Sequence, residues 1–161
     1  PLLALNLVTS QLMKMGYYPE FGIDMYFSKK ANTRIPIYEL ETMEEQASMV
    51  FDLSNGEAFL KYTLLDLSTM ETDFQDMVDA WKSGDSQKME ELIFGPYQND
   101  PVLVALFQRI FYLRNKSMVI KIKDLLQTDK KLFIVVGAGH LVGEKGIVQL
   151  LKDTGVSVKQ L

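Results

Sequence analysis

Cysteine is absent from this 161-residue chain, so no disulfide and no thiolate ligand contributes to it, and both reducing and oxidising compartments remain open. Histidine occurs once, as His140, which limits imidazole chemistry to a single side chain. No uninterrupted apolar run reaches the roughly 18 residues that would span a bilayer, and these residues include no charged-then-apolar stretch that reads as a leader. Charge of one sign is also lacking. The 17 basic and 21 acidic residues are interspersed and leave a net charge of −4, without the basic stripe that phosphate backbones require or a polybasic membrane patch, so nucleic acid is not expected as a partner. No G-x-S-x-G surrounds any serine, which sets aside a serine triad, and no G-K-[ST] is present to hold a metal-bound nucleotide. Repeats, low-complexity tracts and Pro/Gly/Ser-rich linkers are missing, so one domain over residues 1–161 is expected, with any targeting segment lying before Pro1.

What is present is a hydrophobic content of 47%, enough for a sizeable core. Leu2 to Met15 reads as a buried helix, or as a strand and turn, ended by Gly16. Gly22 to Asn32 carries Ile23, Tyr26 and Phe27 at helical spacing. Arg34 to Glu41 reads as a short strand with Pro36 near its start, and Thr42 opens a helix running toward Leu53. From Glu57 to about Leu125 the spacing predicts three helices, broken near Ser83-Gly84-Asp85 and Gly95-Pro96. Leu132 to Val136 is a β-branched, apolar run suited to a central strand covered on both faces. A helix from about Glu144 to Asp153 and a short strand Val156 to Lys159 complete a βαβ pattern. The expected class is α/β: helix-rich, with a small mixed or parallel sheet under covering helices.

Three places concentrate chemistry. On the strand ending at Glu41, alternation puts Ile35, Ile37, Glu39 and Glu41 on one face; the two carboxylates mark either a site or a strand emerging into solvent. Glu45 completes Thr42-Met43-Glu44-Glu45, a capping box in its own right and equally a candidate site acid. His140 lies in Gly137-Ala138-Gly139-His140, just past the expected central strand, where open α/β sheets bind ligands. Gly137 and Gly139 also begin a G-x-G-x-x-G fingerprint, but Val142 occupies the third position and removes the dinucleotide reading.

Arg114 falls in the stripe Phe107, Phe111, Arg114, Met118, Ile122, Leu125, so its guanidinium either runs out to water along its stem or meets a buried acid. Asn115 lies about 100° further round that helix and reaches the same cleft only from its margin. Parallel neighbouring strands would bring Glu41 and His140 to one rim with Arg114 above them, a carboxylate, an imidazole and a cation suited to metal-assisted or acid/base hydrolysis. Trp81 and most methionines and other aromatics read as packing residues.

In order, Gly22-Ile23-Asp24, Leu40-Glu41-Thr42 with Glu45-Gln46, Trp81 with Gly84-Asp85, Arg114-Asn115, and Gly137-Ala138-Gly139-His140-Leu141 with Gly143-Glu144 and Gly146 resemble the TraB/PrgY/GumN family, from about Gly16 onward. The resemblance implies a fold like that of the erythromycin esterase, ChaN and Tiki groups, and kinship with the membrane-associated, manganese- or cobalt-dependent Tiki proteases. Its active site is proposed to use two G-x-x-H motifs with glutamates between them. Here Gly137 to His140 matches the second motif and Glu41 and Glu45 the acids, whereas no first motif is found.

The resemblance therefore implies a metal-dependent hydrolase or peptidase that uses manganese, cobalt or zinc. His140 and Glu41 would be metal ligands, Glu45 and Arg114 further catalytic residues, and Gly137, Gly139 and Asn115 would bind a peptide or small-molecule substrate. A catalytic metal takes about three protein ligands and keeps one position open. One imidazole with carboxylates falls short of that, so the domain is expected to be incomplete at its amino terminus, or naturally inactive, and this stretch need not hold a metal. A missing strand would favour strand swapping or a homodimer. An extracytoplasmic home follows from the resemblance alone, and a non-catalytic peptide- or partner-binding module is the rival function.

Overall fold

The computed structural model describes residues 2–31, 35–51, 60, 63, 64 and 67–161. They fall into two compact units, Pro1–Asp73 and Phe74–Leu161. In the first, α1 (Leu2–Lys14) is closed by hydrogen bonds from the Gly16 amide to the Met13 carbonyl and from the Tyr17 amide to the Leu12 carbonyl. Only Ala4 of α1 is buried, while Leu2, Leu3, Leu5 and Met13 are exposed, so the expectation of a buried helix is corrected to a helix with exposed apolar residues. Helix α2 (Ile23–Ala31) places Asp24 in its first turn and Lys29 and Lys30 in its last, the charge order that complements the helix dipole. Helix α3 (Met43–Phe51) starts where the capping box predicts.

The second unit holds α4 (Met70–Ser83, from Phe74 on), α5 (Ser86–Phe94), α6 (Pro101–Phe107), a π-helical segment Gln108–Leu113, α7 (Arg114–Leu126) and α8 (Ile147–Asp153). The breaks fall at Gly84 and at the Gly95–Tyr97 turn. Asp85 caps α5 by accepting from the Lys88 amide at 2.9 Å. Asp100 caps α6 from the Val102 and Leu103 amides, with Pro101 at the first helical position, where its missing N–H is no loss. The described core sits mostly in this unit: Ala80, Met89, Leu103, Met118, Val119, Ile122 and Ile147 are buried. Each larger apolar side chain among them contributes roughly 1.5–3 kcal/mol relative to exposure. Trp81, expected to pack, is exposed.

The α/β expectation is overturned. Among the described residues there is no strand and no sheet; the architecture is helical. Within the predicted central strand, residues 132–136, none is buried, and Phe133 is 73% exposed. Ile35 and Ile37, which were to line a strand face, are 61% and 60% exposed; Arg34 itself lies outside the described residues. At the expected last strand, the Val156 amide bonds the Leu151 carbonyl and finishes α8 instead. A helix satisfies its backbone within one segment, whereas a strand needs the N–H and C=O groups of a neighbour. High β-propensity in these runs reports side-chain shape and supplies no such neighbour. With no sheet among the described residues, the βαβ unit, the shared rim and the strand swap lose their structural basis. The parts of the predicted helices at residues 52, 53, 57–59, 61, 62, 65 and 66 lie outside the described residues.

Candidate functional site

His140 closes the single turn Ala138–His140, which follows residues 131–137 and packs against α5 and the π-helical segment. His140 is 8% exposed, and its ring centroid lies 5.2 Å from that of Phe111. Phe111 stacks on Phe107 and meets Phe94 edge-on, so the imidazole ends a column of aromatic rings. Glycine at 139 is required by this approach, because a Cβ there would stand 2.8 Å from Cε1 of Phe111. Gly137 faces the imidazole more loosely: a Cβ at that position would meet Cδ2 of His140 at an ordinary 3.7 Å.

The Nδ1 atom of His140 lies 2.6 Å from Oδ1 of Asn115, and Nδ2 of Asn115 donates to the Lys145 carbonyl at 2.8 Å. Asn115 is 1% exposed, so it sits under the imidazole instead of at the margin of a cleft. The π-helical segment Gln108–Leu113 runs directly into α7, whose buried residues are Asn115, Met118, Val119 and Ile122. On a regular helix Arg114 and Asn115 flank Met118 on opposite sides, and burial falls on the Asn115 side. Arg114 is half-buried, and its Nη1 donates to the Ile110 carbonyl at 2.9 Å.

A second layer flanks the turn. The Lys145 ammonium lies 4.4 Å from the centre of the Tyr112 ring, a cation–π contact. Burial, and then the nearby Glu90 carboxylate, raise the Tyr112 phenol above its ordinary value. Neither Glu90 nor Tyr112 belongs to any motif in the sequence, and nothing in their spacing distinguished them.

Glu41 and Glu45 belong to the first unit. Glu41 is half-buried and Glu39 exposed, without the strand that was to carry them. Glu45 accepts from the Thr42 amide at 2.7 Å, and its own amide donates to Thr42 Oγ1 at 3.1 Å, which is the reciprocal capping box. An open groove in this unit, lined by Asn6, Thr9, Ser10, Met13, Lys14 and Tyr18, contains none of the candidate residues.

Among the described residues no group of three or more His, Asp or Glu is placed to hold a metal ion. His140 by itself fits the pattern of a metal ligand, since such histidines generally fix one ring nitrogen on an oxygen partner. The structure thus builds one anchored imidazole in a helical unit and does not assemble a full ligand set in the residues it describes.

This is the setting of a helical protein with one organised candidate ligand, and comparison with known proteins gives its kinship. The family model described as the TraB/PrgY/gumN family matches residues 1–160. A protein named Metalloprotease TIKI homolog from Amphimedon queenslandica is 41% identical over 58 residues, which is 35% of this chain and 11% of that protein. Metalloprotease TIKI1 from Xenopus tropicalis is 38% identical over 53 residues, 32% of this chain and 10% of the relative. The aligned stretches thus span about a tenth of the length of these relatives. No solved structure matches the chain. The chain belongs to the TraB/PrgY/gumN family, and the match reaches upstream of Gly16, where the motif resemblance began. No described helix is long and apolar enough to cross a membrane.

Proposed function

We propose that this chain supplies part of a peptidase-type hydrolytic centre in which His140 is the working imidazole. The carrying observation is that the chain's one histidine, on the G-x-x-H motif, is withdrawn from solvent and hydrogen-bonded through Nδ1. Partial likeness to two relatives named metalloproteases supports this choice of reaction class. The satisfied polar environment fixes the direction of the ring. When bound, manganese, cobalt or zinc would polarise a substrate carbonyl and generate hydroxide near neutral pH. His140 would present one nitrogen donor to that ion, and Glu41 is kept as a candidate carboxylate ligand on the family resemblance alone. Glu45 and Arg114 remain proposed as further acidic and cationic contributors, and the backbone at Gly137 as a substrate-facing segment. A peptide is the substrate class that fits the relatives' names, and an extracytoplasmic setting accompanies this reading.

Metal binding by the parent protein tests the reading. Titration with manganese, cobalt and zinc is expected to give saturable binding that His140→Ala abolishes and Glu41→Gln weakens. Affinity unchanged in His140→Ala would overturn the assignment, and peptide capture indifferent to chelation would mark a binding module instead.

A further inference from the structure

We infer that Asn115 is the positioning residue of His140: it locks the imidazole in the Nδ1–H tautomer, so that Nε2 carries the lone pair. The donor and acceptor inventory dictates this. A side-chain amide has one edge that only accepts and one that only donates. The Lys145 carbonyl can only accept, and it lies 2.8 Å from the Asn115 amide nitrogen, so the NH2 edge must face it. Flipping the amide would press Oδ1 against the carbonyl oxygen, two acceptors in a site only 1% exposed. With the amide so oriented, Oδ1 faces Nδ1 of His140 at 2.6 Å. An oxygen that only accepts requires a proton on that ring nitrogen.

The order therefore propagates from backbone to imidazole. The Lys145 carbonyl immediately precedes Gly146, the residue that opens α8 and whose own carbonyl accepts from the Leu150 amide. Gly146 is itself locked, because a Cβ there would collide with the backbone carbonyls of Leu141 and Val142. The loop that places the anchor is thus the same one that follows His140. Aspartate could not replace Asn115 without loss: it would keep an acceptor for Nδ1–H but turn an acceptor toward Lys145. Leucine would fill the volume and offer Nδ1 no acceptor.

The chemical use of Nε2, as a ligand or proton acceptor, rests on the function proposed above, but the tautomer does not. Because His140 is the only histidine, a two-bond proton–nitrogen correlation spectrum of the uniformly labelled, metal-free protein, recorded with the ring neutral, reads it without ambiguity. The expected pattern is a protonated Nδ1 and an unprotonated Nε2. The opposite pattern in the wild type overturns the inference. Asn115→Leu is expected to move the ring toward the Nε2–H form that free imidazoles prefer, while Asn115→Asp, where folded, keeps Nδ1–H. Backbone amide spectra report whether each variant is folded, and Asn115→Ser, which shortens the side chain beyond reach, stands in for leucine should that variant not fold. A folded leucine or serine variant that retains Nδ1–H shows that Asn115 does not set the tautomer. In the parent protein, zinc affinity of the leucine variant is expected to fall roughly 10–100-fold, as for other partners that orient a ligand. Should the parent bind no metal at all, the proposed function fails while the tautomer assignment is still decided by the spectrum.

Discussion

Replacing Gly139 by alanine isolates one contact of the candidate site. Gly139 is not among the glycines with positive φ, so alanine meets no backbone strain there and the effect is steric. Its Cβ would stand 2.8 Å from Cε1 of Phe111, 3.4 Å from Phe111 Cζ and 3.4 Å from Cδ1 of Ile93. Phe111 cannot easily retreat, since its ring is 5.6 Å from that of Phe107 and 5.3 Å from that of Phe94. Overpacking of a fixed ring destabilises by about 1–3 kcal/mol. For a unit of this size melting by itself, each kcal/mol lowers Tm by roughly 4–8 °C. Calorimetry and urea unfolding of the single variant measure the loss. The second arm is a double-mutant cycle with Phe111→Leu, which removes the obstructing ring atoms at its own expense in aromatic packing. In that background Gly139→Ala is expected to be less harmful by about 0.5–3 kcal/mol. An unchanged midpoint for Gly139→Ala, or an equal loss in both backgrounds, would refute the claim that the turn is seated against Phe111.

Three further outcomes follow from the same kind of reasoning. Thr42→Ala removes the hydroxyl that receives the Glu45 amide and is expected to lower stability by about 0.5–2 kcal/mol. Glu45→Gln keeps an acceptor for the Thr42 amide and is expected to leave thermal stability near wild type, as read by circular dichroism. A loss of hydrolysis in that stable variant would show that the Glu45 charge serves chemistry as well as the cap. For Tyr112, the folded-state pKa lies above the ordinary 10.0, through burial first and Glu90 second. A folded group that holds its proton more tightly contributes stability that is present below the unfolded value and lost as pH rises through the folded one. Phenolate absorbance, taken as the difference between wild type and Tyr112→Phe, should therefore appear at higher pH than for an ordinary tyrosine, and Glu90→Gln should bring it down. Titration at the ordinary value would contradict the half-buried placement of Tyr112 beside Glu90.

Much that was legible in the sequence was local. Thr42 with Glu45, the break at Ser83-Gly84-Asp85 and the turn at Gly95-Pro96 act through bonds and φ preferences within a few residues. Helix starts and stops could therefore be placed without knowing what the helices touch. The family motifs were legible for a related reason, because they are ordered residue patterns and need no coordinates. The same reasoning singled out His140, and burial with an anchored ring nitrogen gives that residue a physical setting.

Tertiary structure decided the rest. Leu132 to Val136 and Arg34 to Glu41 have strand-like side chains, yet a strand exists only where another segment offers its backbone, and no propensity encodes that offer. The identity of the residue beneath His140 was likewise invisible. Arg114 and Asn115 flank Met118 on opposite sides of a regular helix, so which of them is buried depends on what packs against α7, with burial falling on the Asn115 side. Determined by sequence, then, were the elements whose hydrogen bonds close on themselves and the motif that carries the imidazole. Left to the fold were the contacts that reach across the chain, such as the one from Asn115 to the Lys145 carbonyl 30 residues away, because their free energy depends on which distant groups packing brings together.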